Sequence, residues 1–146
     1  MTDRALSVAA WEALFRAQVT VMRALGSEFP SDTMSLNEYD VLFNISREPG
    51  RRLRLKDLNR HVLLTQPSVS RMVDRLVSRG LLEKSDDPAD GRGTIVSMTP
   101  HGFEVYRAVA VAHMGGINRQ MAALDTDELE TLTALCDKLR LAVDPE

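Results

Sequence analysis

A chain of 146 residues with 44% hydrophobic side chains has enough apolar material for one compact domain of ordinary size. No stretch approaches the roughly 18 consecutive apolar residues that a membrane span requires, and the opening MTDRALSVAAW lacks the apolar run and small-residue cleavage site of a secretory leader. Cys136, the single cysteine, excludes an internal disulfide framework and fits a reducing cytoplasm. The formal charge of −3 hides an asymmetry. Residues 51–92 carry ten Lys/Arg against six Asp/Glu, a net +4, while the remainder carries eight against fifteen, a net −7. Screening confines phosphate attraction to about 8–10 Å at physiological salt, so a basic module on an acidic body remains a competent nucleic-acid binder.

Taken in order, the first helix is expected from about Leu6 to Gly26. Trp11, Leu14, Phe15, Gln18, Met22 and Leu25 form one stripe, widened by Val8, Val19 and Val21. So broad an apolar face exceeds what one small lobe can cover and points to burial against another chain. Ser35 to Glu38 is a capping-box pattern that opens a second helix carrying Tyr39, Leu42, Phe43 and Ile45, closed by Pro49-Gly50. Arg51 to Arg54 suits a short extended segment, and Leu55 to about His61 a short supporting helix. Leu63 and Leu64 then serve as core residues at a tight link.

Thr65 is a plausible N-cap for the next helix, with Pro67 in its first turn, where a missing N–H costs nothing. Val69, Met72, Val73, Leu76 and Val77 fall on one face; Pro67, Ser70, Arg71, Asp74, Arg75 and Ser78 fall on the other. Gly80 follows as a left-handed C-terminal residue would. Two short strands are expected at Leu81–Ser85 and Thr94–Met98, joined by the turn-rich DDPADGRG, which reads as too long for a two-residue hairpin. Thr99 and Pro100 open a long helix reaching about Ala123, whose Gly115-Gly116 pair costs roughly 1 kcal/mol per residue relative to alanine and marks a kink or close helix approach, or merely a weak spot. Asp125 or Thr126, with Glu128, starts a last helix with Leu129, Leu132, Leu135, Cys136, Leu139 and Val143 along one stripe.

A helix with a small, polar, cationic outer face followed by a basic-tipped hairpin is the equipment of a winged helix-turn-helix. The residues SVSRMVDRLVSRGLL, then Asp90-Gly91-Arg92 and Met98-Thr99-Pro100-His101-Gly102, resemble the DNA-binding lobe of the multiple antibiotic resistance regulator (MarR) family of bacterial transcription factors. Two positions depart from the family pattern: Met98 stands where Leu is usual, and Gly91 fills a slot often taken by Arg. The expected fold is mainly α with a small β-hairpin wing. A winged helix-turn-helix lobe spans 35–98, with its recognition helix at 65–79 and its wing at 81–98. Residues 5–29 and 99–144 supply the N- and C-terminal helices of a dimerisation body, within a single domain over 1–146.

Function follows from groove geometry. The major groove admits one helix, whose first residues reach base edges. Gln66 suits adenine, Arg71 and Arg75 suit guanine, and Pro67 can lie against a thymine methyl. Thr65, Ser68 and Ser70 suit phosphate or short-range base contacts. Arg92 at the wing suits a narrow minor groove; Asp90 orienting Arg92 is what the resemblance implies. Lys84 and Arg79 are phosphate candidates. One helix and one wing span too few base pairs for a specific address, so a homodimer on a near-palindrome is expected. The resemblance further implies a repressor released by a small effector, often an aromatic acid, with Trp11, Phe15, Tyr39 and Phe43 as candidate pocket residues. No cofactor, metal site or catalytic motif is expected, since His61, His101 and His113 are scattered and no phosphate loop or nucleophile elbow occurs. Cys136 reads as an inert core thiol. The alternatives are a winged-helix protein-interaction module and a metal- or redox-responsive regulator.

Overall fold

The computed structural model describes residues 3–62 and 64–145. Leu63, expected in the core, and the chain's outermost residues lie outside that range. Among the described residues, six α-helices and three strands follow one another as α1 (Arg4–Glu28), α2 (Leu36–Ser46), β1 (Arg52–Arg54), α3 (Leu55–His61), α4 (Gln66–Ser78), β2 (Leu82–Asp87), β3 (Asp90–Met98), α5 (Pro100–Met121) and α6 (Thr126–Val143), with a 3-10 turn at Pro49–Arg51. The chain divides into two compact units. One is Gly26–Met114; the other joins Met1–Leu25 to Gly115–Glu146.

Local chemistry sets the helix boundaries in the larger unit. Ser35 caps α2 in a full capping box: its hydroxyl accepts the Glu38 N–H, and the Glu38 carboxylate accepts the Ser35 N–H at 2.9 Å. Thr65 caps α4 by accepting the Ser68 N–H. Behind Arg79, Gly80 takes a φ of 74°, and its N–H and that of Leu81 bond the Val77 and Leu76 carbonyls. This left-handed stop favours glycine. The core gathers Val41, Leu42 and Ile45 of α2, Leu58 of α3, Val69, Val73 and Leu76 of α4, and Val96 of β3, each fully buried. Burying each such side chain contributes about 1.5–3 kcal/mol before entropy is charged against it.

The sheet is antiparallel with order β1-β3-β2. β1 pairs with β3 from Arg52↔Ser97 to Arg54↔Ile95. The hairpin corrects the sequence reading. β2 and β3 extend to Asp87 and Asp90, so only Pro88 and Ala89 lie between them. Two local devices make so short a turn feasible. The Asp87 carboxylate accepts the Ala89 N–H at 2.9 Å, an Asx turn that stands in for backbone bonding. The register then jumps between Asp86↔Thr94 and Asp87↔Asp90, leaving Gly91, Arg92 and Gly93 as a bulge at the tip. Residues that read as loop are therefore strand and bulge.

The Thr-Pro-x-Gly sequence joins the wing to α5. Thr99 donates its hydroxyl to the Gly80 carbonyl at 2.6 Å and accepts the Gly102 N–H at 2.8 Å, while its own N–H bonds the Leu81 carbonyl. That contact brings α5 so close to Leu81 that a Cβ on Gly102 would overlap the Leu81 carbonyl. Further along α5, His113 is buried beneath Phe29 and Tyr39, with ring centroids at 5.2 and 4.8 Å. Burial lowers the pKa of its imidazole.

In the smaller unit, Asp3 caps α1 through the Ala5 N–H at 2.9 Å, and Asp125 with Glu128 forms a second capping box at the start of α6. α6 buries none of its residues: Leu135 is 58% exposed and Leu139 51%. On α1, Trp11 and Phe15 stand exposed side by side at 5.8 Å. Cys136, expected in a core, is half-buried instead. α5 continues through Gly115 and Gly116 as unbroken helix.

Two outcomes follow. Gly102→Ala should cost about 2–3 kcal/mol or more, read as a lower denaturant midpoint at unchanged m-value, because a backbone carbonyl cannot step aside. Because the folded state holds His113 neutral below its unfolded pKa of about 6.5, the unfolded chain binds more protons there, and stability should fall as pH drops from 7 through 5. His113→Leu should flatten that part of the pH–melting curve; an unchanged slope would show that the imidazole titrates freely in the fold.

Candidate nucleic-acid interface

α4 sorts its side chains by face, as a 3.6-residue period requires. Val69, Met72, Val73 and Leu76 point into the core, while Gln66, Pro67, Arg71, Asp74 and Arg75 are exposed and Ser68 and Ser70 half-buried. Thr65, also exposed, donates its hydroxyl to Ser68 Oγ at 2.9 Å, and Arg71 reaches the same hydroxyl at 3.4 Å. The start of α4 therefore carries a linked polar group of Thr65, Ser68 and Arg71, beside the exposed Gln66 and Pro67.

The cations of the basic stretch divide into anchored and outward-facing ones. Arg79 is anchored: it donates to the Thr33 carbonyl and lies 3.6 Å from Glu38, tying the end of α4 to the segment before α2. Arg51 lays its guanidinium over the Phe103 ring at 3.4 Å. Lys84 of β2 pairs with Asp74 of α4 at 2.7 Å, so its charge is partly spent bracing the wing against the helix. Asp74 is thereby taken up by Lys84 and leaves Arg71 facing outward. Among the described residues, Arg75 and Arg92 have no ion-pair partner within 4.0 Å.

The wing tip differs in detail from what the resemblance implies. Asp90 accepts the Arg92 backbone N–H at 3.1 Å. Asp90 thus fixes the backbone of the bulge, and the bulge is what projects the Arg92 side chain. The carboxylate that meets a guanidinium is Asp87: its Oδ2 lies 2.7 Å from Arg54 Nε, with the Asp87 side chain 3% exposed and that of Arg54 43%. The Ala89 N–H first, and the Arg54 charge after it, hold the Asp87 carboxyl below its ordinary pKa. Sequence inspection missed this pair, because nothing local to Arg54 or Asp87 signals a partner so far along the chain.

Between the start of α4 and the wing lies an open cleft of about 320 Å³, lined by Gln66 and Ser70 of α4, Arg92 and Thr94 of the wing, and Arg54 and Lys56. The residues proposed for an effector pocket have different settings. In the larger unit Tyr39 is buried in an aromatic cluster, stacked on Tyr106 at 5.4 Å and on Phe43 at 6.4 Å, and Phe43 is 36% exposed beneath Arg47. Burial, then the Tyr106 hydroxyl, raises the pKa of the Tyr39 phenol. In the smaller unit Trp11 and Phe15 form the exposed pair already described. Among the described residues no three His, Cys, Asp or Glu side chains converge as metal ligands would, and no helix is long and apolar enough to cross a membrane.

This chain matches the sequence profile of the MarR family over residues 32–93. It is 26% identical to Mb0904, an HTH-type transcriptional regulator of Mycobacterium bovis, over 88% of either chain. Its fold is similar to that of the Streptomyces coelicolor regulator PcaV, solved with its natural ligand, at 28% identity and a TM-score of 0.72, covering 90% of this chain and 92% of that one. Sco3205, a MarR-family regulator of the same organism solved with DNA, superposes over 100% of this chain and 92% of its own with a TM-score of 0.80 at 24% identity.

Proposed function

The chain belongs to the MarR family of winged-helix transcriptional regulators, and from that premise we propose that it acts as a homodimeric repressor on a near-palindromic duplex operator and is released by a small ligand. The observation that carries the reading is the outer surface of α4: a buried apolar stripe orients Gln66, Arg71 and Arg75 outward beside a bulge that projects Arg92. In this reading residues 35–98 form the DNA-binding lobe. α4 enters the major groove with Gln66, Arg71 and Arg75 at base edges, and Thr65, Ser68 and Ser70 hold backbone phosphate. Arg92 enters the adjacent minor groove, with Asp90 holding its backbone. Lys84 contributes to phosphate attraction only weakly, because Asp74 already neutralises it.

Two copies are needed to span successive turns of the duplex. The apolar faces left open on the terminal helices support that assembly: Trp11 and Phe15 on α1, and Leu135, Leu139 and Val143 on α6. So much exposed apolar surface is characteristic of a protein–protein contact. Residues 5–29 and 99–144 are accordingly the proposed dimerisation helices. The likeness to PcaV, solved with its natural ligand, supports a small-molecule effector, here proposed to be an aromatic acid whose binding shifts the population of dimers matched to the half-site spacing.

Binding to duplex panels by fluorescence anisotropy tests the reading. Gln66→Ala or Arg71→Ala should cost about 1–3 kcal/mol at particular base pairs and leave other sequences less affected; equal losses on every sequence would reassign them to phosphate. Arg92→Ala should lower the slope of log K against log salt by about 0.9 per copy of the chain on DNA. An unchanged slope would remove the wing from the interface, and salt-independent capture of a protein partner with no duplex affinity would favour an interaction module instead.

A further inference from the structure

The cleft between α4 and the wing contains a cation to which the reading above gives no role. Arg54 leaves the end of β1 and reaches Asp87 of the hairpin, the two elements being joined only through β3. An ion pair with one partner this exposed stabilises a fold by little. The arrangement nevertheless buries a carboxylate. Asp87 Oδ1 accepts the Ala89 N–H, and the buried Oδ2 lies 2.7 Å from Arg54 Nε. The contact lies on the Nε edge: Asp87 holds the guanidinium by that edge, and among the described residues no second carboxylate lies within 4.0 Å of it, which leaves the Nη donors for another anion.

The position of this guanidinium indicates what those donors meet. Gln66 and Ser70 border the cleft from the helix assigned to the major groove, and Arg92 borders it from the tip assigned to the minor groove. The element of a duplex that separates a major groove from the neighbouring minor groove is a sugar–phosphate strand. A strand bridging the two readers would pass the cleft and present phosphate oxygens to its lining cations. The cleft lining carries three cations, Arg54, Lys56 and Arg92, against two carboxylates, Asp87 and Asp90, so its balance is one positive charge and favours an anion modestly.

We propose that Arg54 is a DNA-backbone contact that takes a phosphodiester on its Nη donors, with Asp87 as the residue that positions it through Nε, in the cleft also lined by Gln66 and Arg92. The inference rests on the duplex-binding reading. A guanidinium suits the role because its planar fork can meet two phosphate oxygens at once, which an ammonium cannot do.

Salt-dependent anisotropy on one duplex, with thermal melting of each variant as a folding control, separates the outcomes. Arg54→Ala should lower the salt slope by about 0.9 per chain on DNA, and should do so again in an Arg92→Ala background. Arg54→Lys should keep the slope while weakening affinity. Asp87→Asn should weaken binding by the otherwise wild-type chain and add nothing in the Arg54→Ala background. If Arg54→Ala does not fold, Arg54→Gln, which keeps length without charge, carries the same comparison. A wild-type slope in the neutral variant overturns the proposal, and so does a slope loss that vanishes once Arg92 is gone, since Arg54 would then act only by bracing the wing. Failure of the wild-type chain to bind any duplex would instead remove the duplex-binding reading itself.

Discussion

The rest of the molecule depends on the rigid seating of one amphipathic helix. Val69, Met72, Val73 and Leu76 give α4 a buried face in the shared core, with α2 and β2 packed against the helix, and that burial determines which side chains face out. Burial alone would leave the helix free to slide or roll by a fraction of a turn, so each end and one side are pinned by polar contacts. Thr65 caps the start, Arg79 ties the end to the Thr33 carbonyl, and Lys84 clamps Asp74 from the wing. These bonds are individually modest. Their effect is on orientation, and orientation matters most where base edges must be met within hydrogen-bonding distance.

The wing is placed by the same economy. Thr99 and Gly102 bring the start of α5 onto Gly80 and Leu81, so the hairpin leaves the helix end at a fixed angle. At the far tip, Asp87 and Asp90 each satisfy a backbone N–H and so stiffen a turn of only two residues. Cations near this frame fall into two kinds. Arg51, Arg79 and Lys84 hold the lobe together, whereas Arg71, Arg75 and Arg92 face outward. Net charge over residues 51–92 thus overstates what is available to a polyanion, although Arg71, Arg75 and Arg92 lie on one helix and one hairpin tip.

Much of this was legible in the sequence. The 3.6-residue stripe and Thr65 cap locate α4, Ser35 with Glu38 locates α2, and Asp125 with Glu128 locates α6, because these signals depend on residues within one or two turns. Where the reading failed, the cause was non-local or belonged to a turn type. The run DDPADGRG looked like loop because its Asp, Pro and Gly residues favour turns. Only the fold reveals that Asp87 closes a two-residue turn and that Gly91 to Gly93 bulge from a strand. The Arg54–Asp87 pair forms only when β1 and β2 flank β3. Periodicity marked the apolar stripes of α1 and α6 but cannot say whether their partner is this chain or another; the exposure of Trp11, Phe15, Leu135 and Leu139, and the half-burial of Cys136, favour another chain.

The claim that all of this supports is that two copies of α4 meet one duplex together. Sedimentation equilibrium of the purified chain, alone and with a selected near-palindromic duplex at low and physiological salt, measures it directly. A dimer when free, and a complex of two chains per duplex that dissociates as salt rises, is the expected result. A monomer that remains monomeric and leaves the duplex unbound even at low ionic strength would contradict it.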